Sequence, residues 1–337
     1  MTKKLILTLT LISLYGCQKD IDLKLENLES KLVINAQLTS DVYSSPYNGQ
    51  NIIVSNSINP FDSYYNYILT EDSIPIINYA EININNNQIE YKFEYNNDCY
   101  CYTNRDFKPI ANETYTIEVK ASDFQTVNAF DKIPLKTNFI ISDFELLSDL
   151  SDDDESSLLK YDLCKLNINI QDNFNIPSFY KLEVKVGKPF ENNRPNFLFS
   201  GQRQKGEKKC YFKSENPSLL NQENAKKIKD GYFEGKVAYF TDDLFNGQEE
   251  NIFIEVDKPE GSWTYFYIII TSYSQNLYKY ILNQRNSNNI DGNSMFNSEP
   301  VIFDSNINNG FGIFGSKSET KKTYLPLFYP TNGWLED

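Results

Sequence analysis

The sequence predicts a mainly β protein, with an N-terminal Ig-like β-sandwich followed by a second β-rich domain that carries one short helix. Three observations predict it. Aromatic residues make up 15% of the 337-residue chain, with 24 tyrosines and 23 phenylalanines, and such side chains favour a pleated, half-buried surface. Short segments of strict apolar–polar alternation recur at regular spacing between polar turns. Only one stretch carries a convincing helical periodicity.

The chain opens on Met1-Thr-Lys-Lys4 and an apolar run from Leu5 to Leu14. About ten helical residues rise only about 15 Å, half of a roughly 30 Å hydrocarbon core, so the run is too short to anchor by spanning. A charged start before a short apolar run reads as an export signal. Leu14-Tyr-Gly-Cys17 resembles the lipobox cut by lipoprotein signal peptidase, after which the cysteine is acylated. Residues 1–16 are therefore expected to be a signal peptide, Cys17 the lipidated residue, and 17–30 a tether. Two or three acyl chains such as palmitate, at about 0.8 kcal/mol per buried methylene, hold a protein on a membrane almost irreversibly. Gln18-Lys-Asp-Ile-Asp22 resembles the signal by which Bacteroidota send lipoproteins to the outer face of the outer membrane. A solvated tether of lysines and acids is the other reading.

The first domain is expected over residues 31–136. Its strands are Lys31–Leu38, Ala80–Ile84 and Ile89–Tyr95 (a hairpin about Asn85-Asn-Asn87), Thr114–Lys120 and Asp123–Val127, with an exit at Ile133-Pro134. Several short strands at regular spacing fit a sandwich of roughly a hundred residues. The second domain is expected over 137–337. Phe139–Phe144 leads into the acidic run Ser151–Ser157, which lacks the spaced Asp-x-Asp-x-Asp-Gly of a calcium loop and reads as solvated. Lys165–Ile170 and Phe179–Val186 read as paired strands, Asn192–Asn224 as a long excursion, and strands resume at Lys236–Phe240, Ile252–Val256 and Tyr265–Thr271. The helix is expected from Ser272 to Asn283, with Tyr273, Leu277, Tyr280 and Ile281 on one apolar face. Phe311-Gly-Ile-Phe-Gly315 reads as a close-packed strand or turn whose glycines admit a neighbouring backbone.

Composition narrows the function. The precursor carries 32 basic and 46 acidic side chains. Removal of Lys3 and Lys4 leaves 30 against 46, a net charge of −16. Nucleic acid and anionic lipid heads repel such a surface. There is no histidine, which removes the usual neutral-pH base, the usual zinc ligand and any Ser-His-Asp device. Carboxylate pairs survive that test, but no spacing points to one, and neither a cofactor nor a metal is implied. Beyond Cys17 the cysteines are Cys99, Cys101, Cys164 and Cys210. An exported chain permits disulfides, and four cysteines allow three pairings. Cys99 and Cys101 on one strand would share a face, awkwardly held for bridging each other. Buried thiols are the other reading. Trp263 and Trp334 read as core or capping residues that could also contact a ligand.

Several segments together resemble one family. Lys31-Leu-Val-Ile-Asn-Ala36, Asn112-Glu-Thr-Tyr-Thr-Ile-Glu-Val119, Asp123-Phe124 and Ile133-Pro134 are similar to its Ig-like half. Tyr273, Tyr278-Lys-Tyr280, Glu299-Pro300, Ser305-Asn-Ile307 and Gly310-Phe-Gly-Ile-Phe-Gly315 are similar to its ending. Asn112 and Asn309 stand where the family has glycine. The family consists of Bacteroidota outer-membrane lipoproteins carrying a domain of unknown function, typically encoded beside a TonB-dependent receptor. The resemblance implies a non-enzymatic accessory or binding partner of such a receptor in nutrient uptake. An autonomous glycan- or peptide-binding surface lipoprotein is the alternative.

Overall fold

The computed structural model describes residues 29–41, 50–57, 75–148, 161–172, 176–187, 208–257, 265–288, 304–324 and 334–335. Strands of the N-terminal half are β1 (Leu32–Thr39), β2 (Ile52–Asn56), β3 (Glu81–Asn85), β4 (Glu90–Asn96), β5 (Cys101–Thr103), β6 (Thr114–Lys120) and β7 (Val127–Lys132). There follow β8 (Asn138–Ser148), β9 (Tyr161–Gln171), β10 (Phe179–Gly187), β11 (Lys208–Lys209), β12 (Phe212–Ser214), β13 (Ile228–Lys229), β14 (Tyr232–Gly235) and β15 (Val237–Thr241). The chain continues through β16 (Glu249–Asp257), β17 (Tyr265–Tyr273), helix α1 (Gln275–Asn288), β18 (Phe311–Tyr324) and β19 (Trp334–Leu335). The protein is mainly β.

Alternation decides which residues are inside. Ile82 and Ile84 of β3, Tyr115, Ile117 and Val119 of β6, and Ile34, Ala36 and Leu38 of β1 are all buried in one core, while their neighbours point outward. β4-β3-β6-β7 thus stacks on β18-β1-β2-β5, the sheet folding back on itself where β4 pairs with both β3 and β5. The β3–β4 hairpin turns through Asn87, whose φ of 68° lies in the left-handed region that asparagine tolerates. The fifth expected strand lies further on than its sequence reads. Residues Asp123 and Phe124 form a turn, Phe124 N–H donating to the Ala121 carbonyl, and the strand itself is β7.

A second core lies between the other arm of the long sheet, order β11-β10-β17-β18, and a six-stranded sheet, order β13-β14-β12-β16-β9-β8. Here β9 and β10 do not pair as their patterns led us to expect. β9 pairs with β8 and β16, and β10 with β17, β15 and β11. Each carries one apolar row, Leu166, Ile168 and Ile170 on β9 and Leu182, Val184 and Val186 on β10. Those rows bury most surface by facing each other across the core rather than lying side by side.

β18 joins the two halves. Its first part pairs in parallel with β1, and its second part antiparallel with β17. Phe314 and Ser316 lie opposite Ala36 and Leu38, and Ser318 and Thr320 opposite Ser272 and Ile270. Directly opposed residues share a face, so both cores rest on the same side of one strand. Between the two cores that side is polar. The connection from β7 to β8 crosses it there. The Ser316 hydroxyl donates to Asp131 Oδ2 at 2.6 Å, Ser318 to the Pro134 carbonyl at 2.7 Å, and Thr137 and Ser272 hydroxyls meet at 2.5 Å.

The glycine-dotted run is the close-packed strand its sequence suggests. At Gly312 φ is +99°, and a Cβ there would sit 2.0 Å from the Ile34 carbonyl oxygen. A Cβ on Gly315 would lie 2.7 Å from Leu277 Cβ, so its absence lets α1 rest on β18. That helix starts later than expected, because Ser272 and Tyr273 complete β17 opposite Ser318 and Lys317. Ser274 caps it, its Oγ accepting from Leu277 N–H at 3.3 Å and its carbonyl from Tyr278 N–H at 2.9 Å. Leu277 and Tyr278 are buried against Ile313, with Tyr280 and Ile281 packed at the margin.

Two expected outcomes follow from this arrangement. Gly312→Ala combines a left-handed backbone with collision against backbone atoms and should cost about 3 kcal/mol or more. Gly231→Ala, equally left-handed at φ +85° but with open space around it, should cost only about 1–2 kcal/mol. Urea titration of the two variants compares them, and equal losses would mean the Ile34 contact does not constrain β18. Burial raises the Asp131 carboxyl from 3.8 to about 6, against hydrogen bonds from Ser274, Ser316 and Asn276 that lower it. The folded state therefore holds this proton more tightly than the unfolded chain. Its contribution is complete below pH 3.8 and is lost as pH rises through about 6, at most about 3 kcal/mol. Asp131→Asn should remove that loss, so the variant gains on the parent between pH 4 and 7 in thermal melts. A difference independent of pH would refute it.

Candidate functional site

The outer face of the six-stranded sheet carries a cleft of about 690 Å³. Its floor is built by strand register. One row across the sheet runs Glu145, Lys165, Glu255, Lys213 and Glu234, each opposite the next on β8, β9, β16, β12 and β14. The row alternates in charge, and Lys165 Nζ lies 3.4 Å from Glu255 Oε1. Two residues along the strands, a second row runs Asp143, Asn167 and Phe253. Glu215 and Tyr232, two positions beyond Lys213 and Glu234, continue it. Phe253 stands at the centre, 62% exposed, although its neighbours Ile252 and Ile254 are buried in the core.

The rim is held by specific bonds. Ser214 donates from Oγ to the Phe253 carbonyl at 2.6 Å, tying β12 to β16. Just beyond β12, Asn216 donates from Nδ2 to Glu250 Oε1 and to the Asn251 carbonyl, both at 2.9 Å. Its Oδ1 accepts from Ser218 N–H at 2.8 Å, which starts the short 3₁₀ turn Pro217–Leu219. Tyr232 donates to Glu215, and that bond pushes the phenol above its usual range.

One polar group on the floor stands out. Asn167 is 8% exposed, and its Oδ1 has no hydrogen-bond partner, while its Nδ2 reaches Asp143 Oδ2 only at 3.4 Å. A buried acceptor left empty costs about 1–3 kcal/mol. Among the described residues, the cleft's lining holds four carboxylates, Asp143, Glu145, Glu215 and Glu255, against two lysines. Asp143, Glu145 and Glu215 stand exposed on an open face beside amide, lysine and phenol groups. Among the described residues no cluster of three or more Cys, Asp or Glu is placed to hold a metal ion.

The family model described as "Domain of unknown function (DUF4249)" matches residues 18–323. The chain belongs to this family. Asn112 and Asn309 both adopt left-handed φ, 70° and 62°, the region that glycine enters at no steric cost and asparagine tolerates. No curated protein sequence matches the chain. Among solved structures, a Corynebacterium diphtheriae protein described as membrane anchored is similar at 10% identity and a TM-score of 0.18. The match covers 72% of this chain and 54% of that one, about half its length. No described helix is long and apolar enough to cross a membrane, which leaves membrane strands untouched.

Most residues singled out from sequence lie away from the cleft. Cys17, Trp263 and the acidic run 151–157 fall outside the described residues. Trp334 sits on β19, its backbone paired with Tyr324 on the long sheet. Cys99 and Cys101 do form a disulfide, with Cα atoms 5.2 Å apart, contrary to our expectation from sequence. The expectation assumed one continuous strand. In fact β5 begins at Cys101, and Tyr100 turns the chain through a left-handed φ of 51°, which brings Cys99 round to its partner. Cys164 and Cys210 are buried in the second core as thiols, and burial, with Cys210 alongside, pushes the Cys164 thiol upward. Thiol alkylation of the acylated, denatured protein should therefore label two cysteines before reduction and four after. Complete protection before reduction would show a second disulfide instead.

Proposed function

We propose that this protein is a lipid-anchored, surface-facing outer-membrane lipoprotein that binds a ligand without transforming it, as an accessory to a TonB-dependent receptor in nutrient uptake. The observation that carries the binding part is the open cleft centred on Phe253, with its polar rows and its empty amide acceptor. The anchoring part is supported by the short apolar leader ending in Leu14-Tyr-Gly-Cys17, and the surface-facing part by the lysine and acids that follow. The receptor part is supported by the genomic setting of the lipoproteins that the sequence resembles. An autonomous glycan- or peptide-binding role is the second reading, favoured by an exposed aromatic ring on a rigid sheet rather than on a loop.

Isolation of the affinity-tagged full chain from its own outer membranes in mild detergent should recover an acylated Cys17 and an outer-membrane transporter together. Recovery of the acylated protein alone, across several detergents, would move the role to autonomous binding. An unmodified thiol at position 17 would end the anchored reading.

A further inference from the structure

We infer that the cleft on the six-stranded sheet recognises a cationic side chain of a peptide, the guanidinium of an arginine, laid on the Phe253 ring. This rests on the reading of that cleft as the binding site.

Asp143, Asn167 and Glu215 present oxygens around Phe253. The Asn167 amide places one of its two N–H donors on Asp143 and leaves its acceptor empty, and the Tyr232 hydroxyl is spent on Glu215. What remains around the ring is mostly acceptors, with a negative balance. Adjacent strands lie about 4.8 Å apart, so Asn167 on β9 and Glu215, one residue past the end of β12, stand on either side of Phe253 at about that spacing.

A ligand matching this must be flat or compact, positively charged and rich in donors. Guanidinium fits each requirement. It is planar, stacks on an aromatic face, and carries five N–H donors in its own plane, enough for Asn167 Oδ1 and both carboxylates. An ammonium has three donors and no plane to stack. A sugar ring would cover the aromatic face equally well, but each hydroxyl both donates and accepts. The donors it would need, Lys165 and Lys213, stand in the other row, each between two carboxylates. The negative charge of the whole chain draws cations toward such a site.

The test uses the full-length acylated protein in detergent micelles and titration calorimetry. The probes are a capped Gly-Arg-Gly tripeptide, its isosteric, uncharged citrulline counterpart, and a neutral linear glucan hexasaccharide. The arginine peptide should bind at least about tenfold more tightly than the citrulline one, and its affinity should fall as salt rises. Glu215→Gln and Asp143→Asn, both at exposed positions, should each weaken it about three- to tenfold, and Phe253→Ala more than either. Circular dichroism unchanged from the parent confirms that these variants fold. Equal binding of the arginine and citrulline peptides overturns the cation assignment. Glucan binding that Phe253→Ala abolishes, with no peptide binding, overturns it too, yet leaves the cleft as the binding site. If no probe binds at all, the arginine assignment falls. If a probe binds and Phe253→Ala leaves its affinity intact, the cleft itself falls with it.

Discussion

The structure depends on β18 being shared. Val33 pairs with Phe311, and Phe266 with Tyr324, so one strand closes the first sandwich along its beginning and the second along its end. Neither core is complete without it. The first needs Phe314 beside Ile34 and Ala36, and the second needs a partner for the free edge of β17. The contact joins residues that nearly the whole chain separates. Loop closure over such a span must precede the gain in buried area, so this pairing carries the largest closure cost among the β18 contacts.

The sharing also explains the polar seam. Where two apolar cores sit on one face of a strand, the crossing chain between them needs its backbone carbonyls satisfied. Serines at 316 and 318 supply hydroxyls and leave room for the crossing backbone. Asp131 sits at the same crossing, bonded to Ser316 and Asn276 and buried to 4% exposure. It ties β7, β18 and the first turn of α1 together. Its charge costs stability there, and its bonds to Ser316 and Asn276 offset part of that cost while linking the three elements.

Local patterns in the sequence were legible, and pairings were not. Strict alternation in Ala80–Ile84, Ile89–Tyr95 and Thr114–Lys120 located β3, β4 and β6 within a residue, because period-two burial is a property of each strand alone. Which strand lies beside which is decided by distant partners. Hence β9 and β10 read as paired strands while facing each other across a core, and nothing near Phe311 announces that it lies beside Val33. The helix start failed for a related reason. Ser272 and Tyr273 continue a helical spacing, but the ladder with Ser318 and Lys317 holds them extended. The Cys99–Cys101 bridge was hidden because a single left-handed residue, Tyr100, changes the geometry that strand spacing implies.

The cleft was missed for the opposite reason, since its signal was present in a strand already identified. Asn251-Ile-Phe-Ile-Glu-Val256 alternates apolar and polar except at Phe253, an aromatic ring in the polar phase. A large apolar residue out of phase is one that the strand's own burial cannot explain. The tryptophans attracted notice by their rarity, yet rarity says nothing about which face a residue occupies. On the strand beside Phe253, Asn167 and Asn169 occupy the same outward phase of β9, and both leave a buried carbonyl empty. Asn169 spends its donor on Glu249 and Asn251, within the sheet. Asn167 lies against the cleft, with only a long bond to Asp143. Leucine or threonine at that position would remove the penalty of an unmatched amide, so keeping the amide sacrifices stability on a floor that rigid strands hold in place. Such a sacrifice would be recovered by a donor brought to that oxygen, which lies covered at the cleft floor, once the amide turns toward the open face beside the exposed ring.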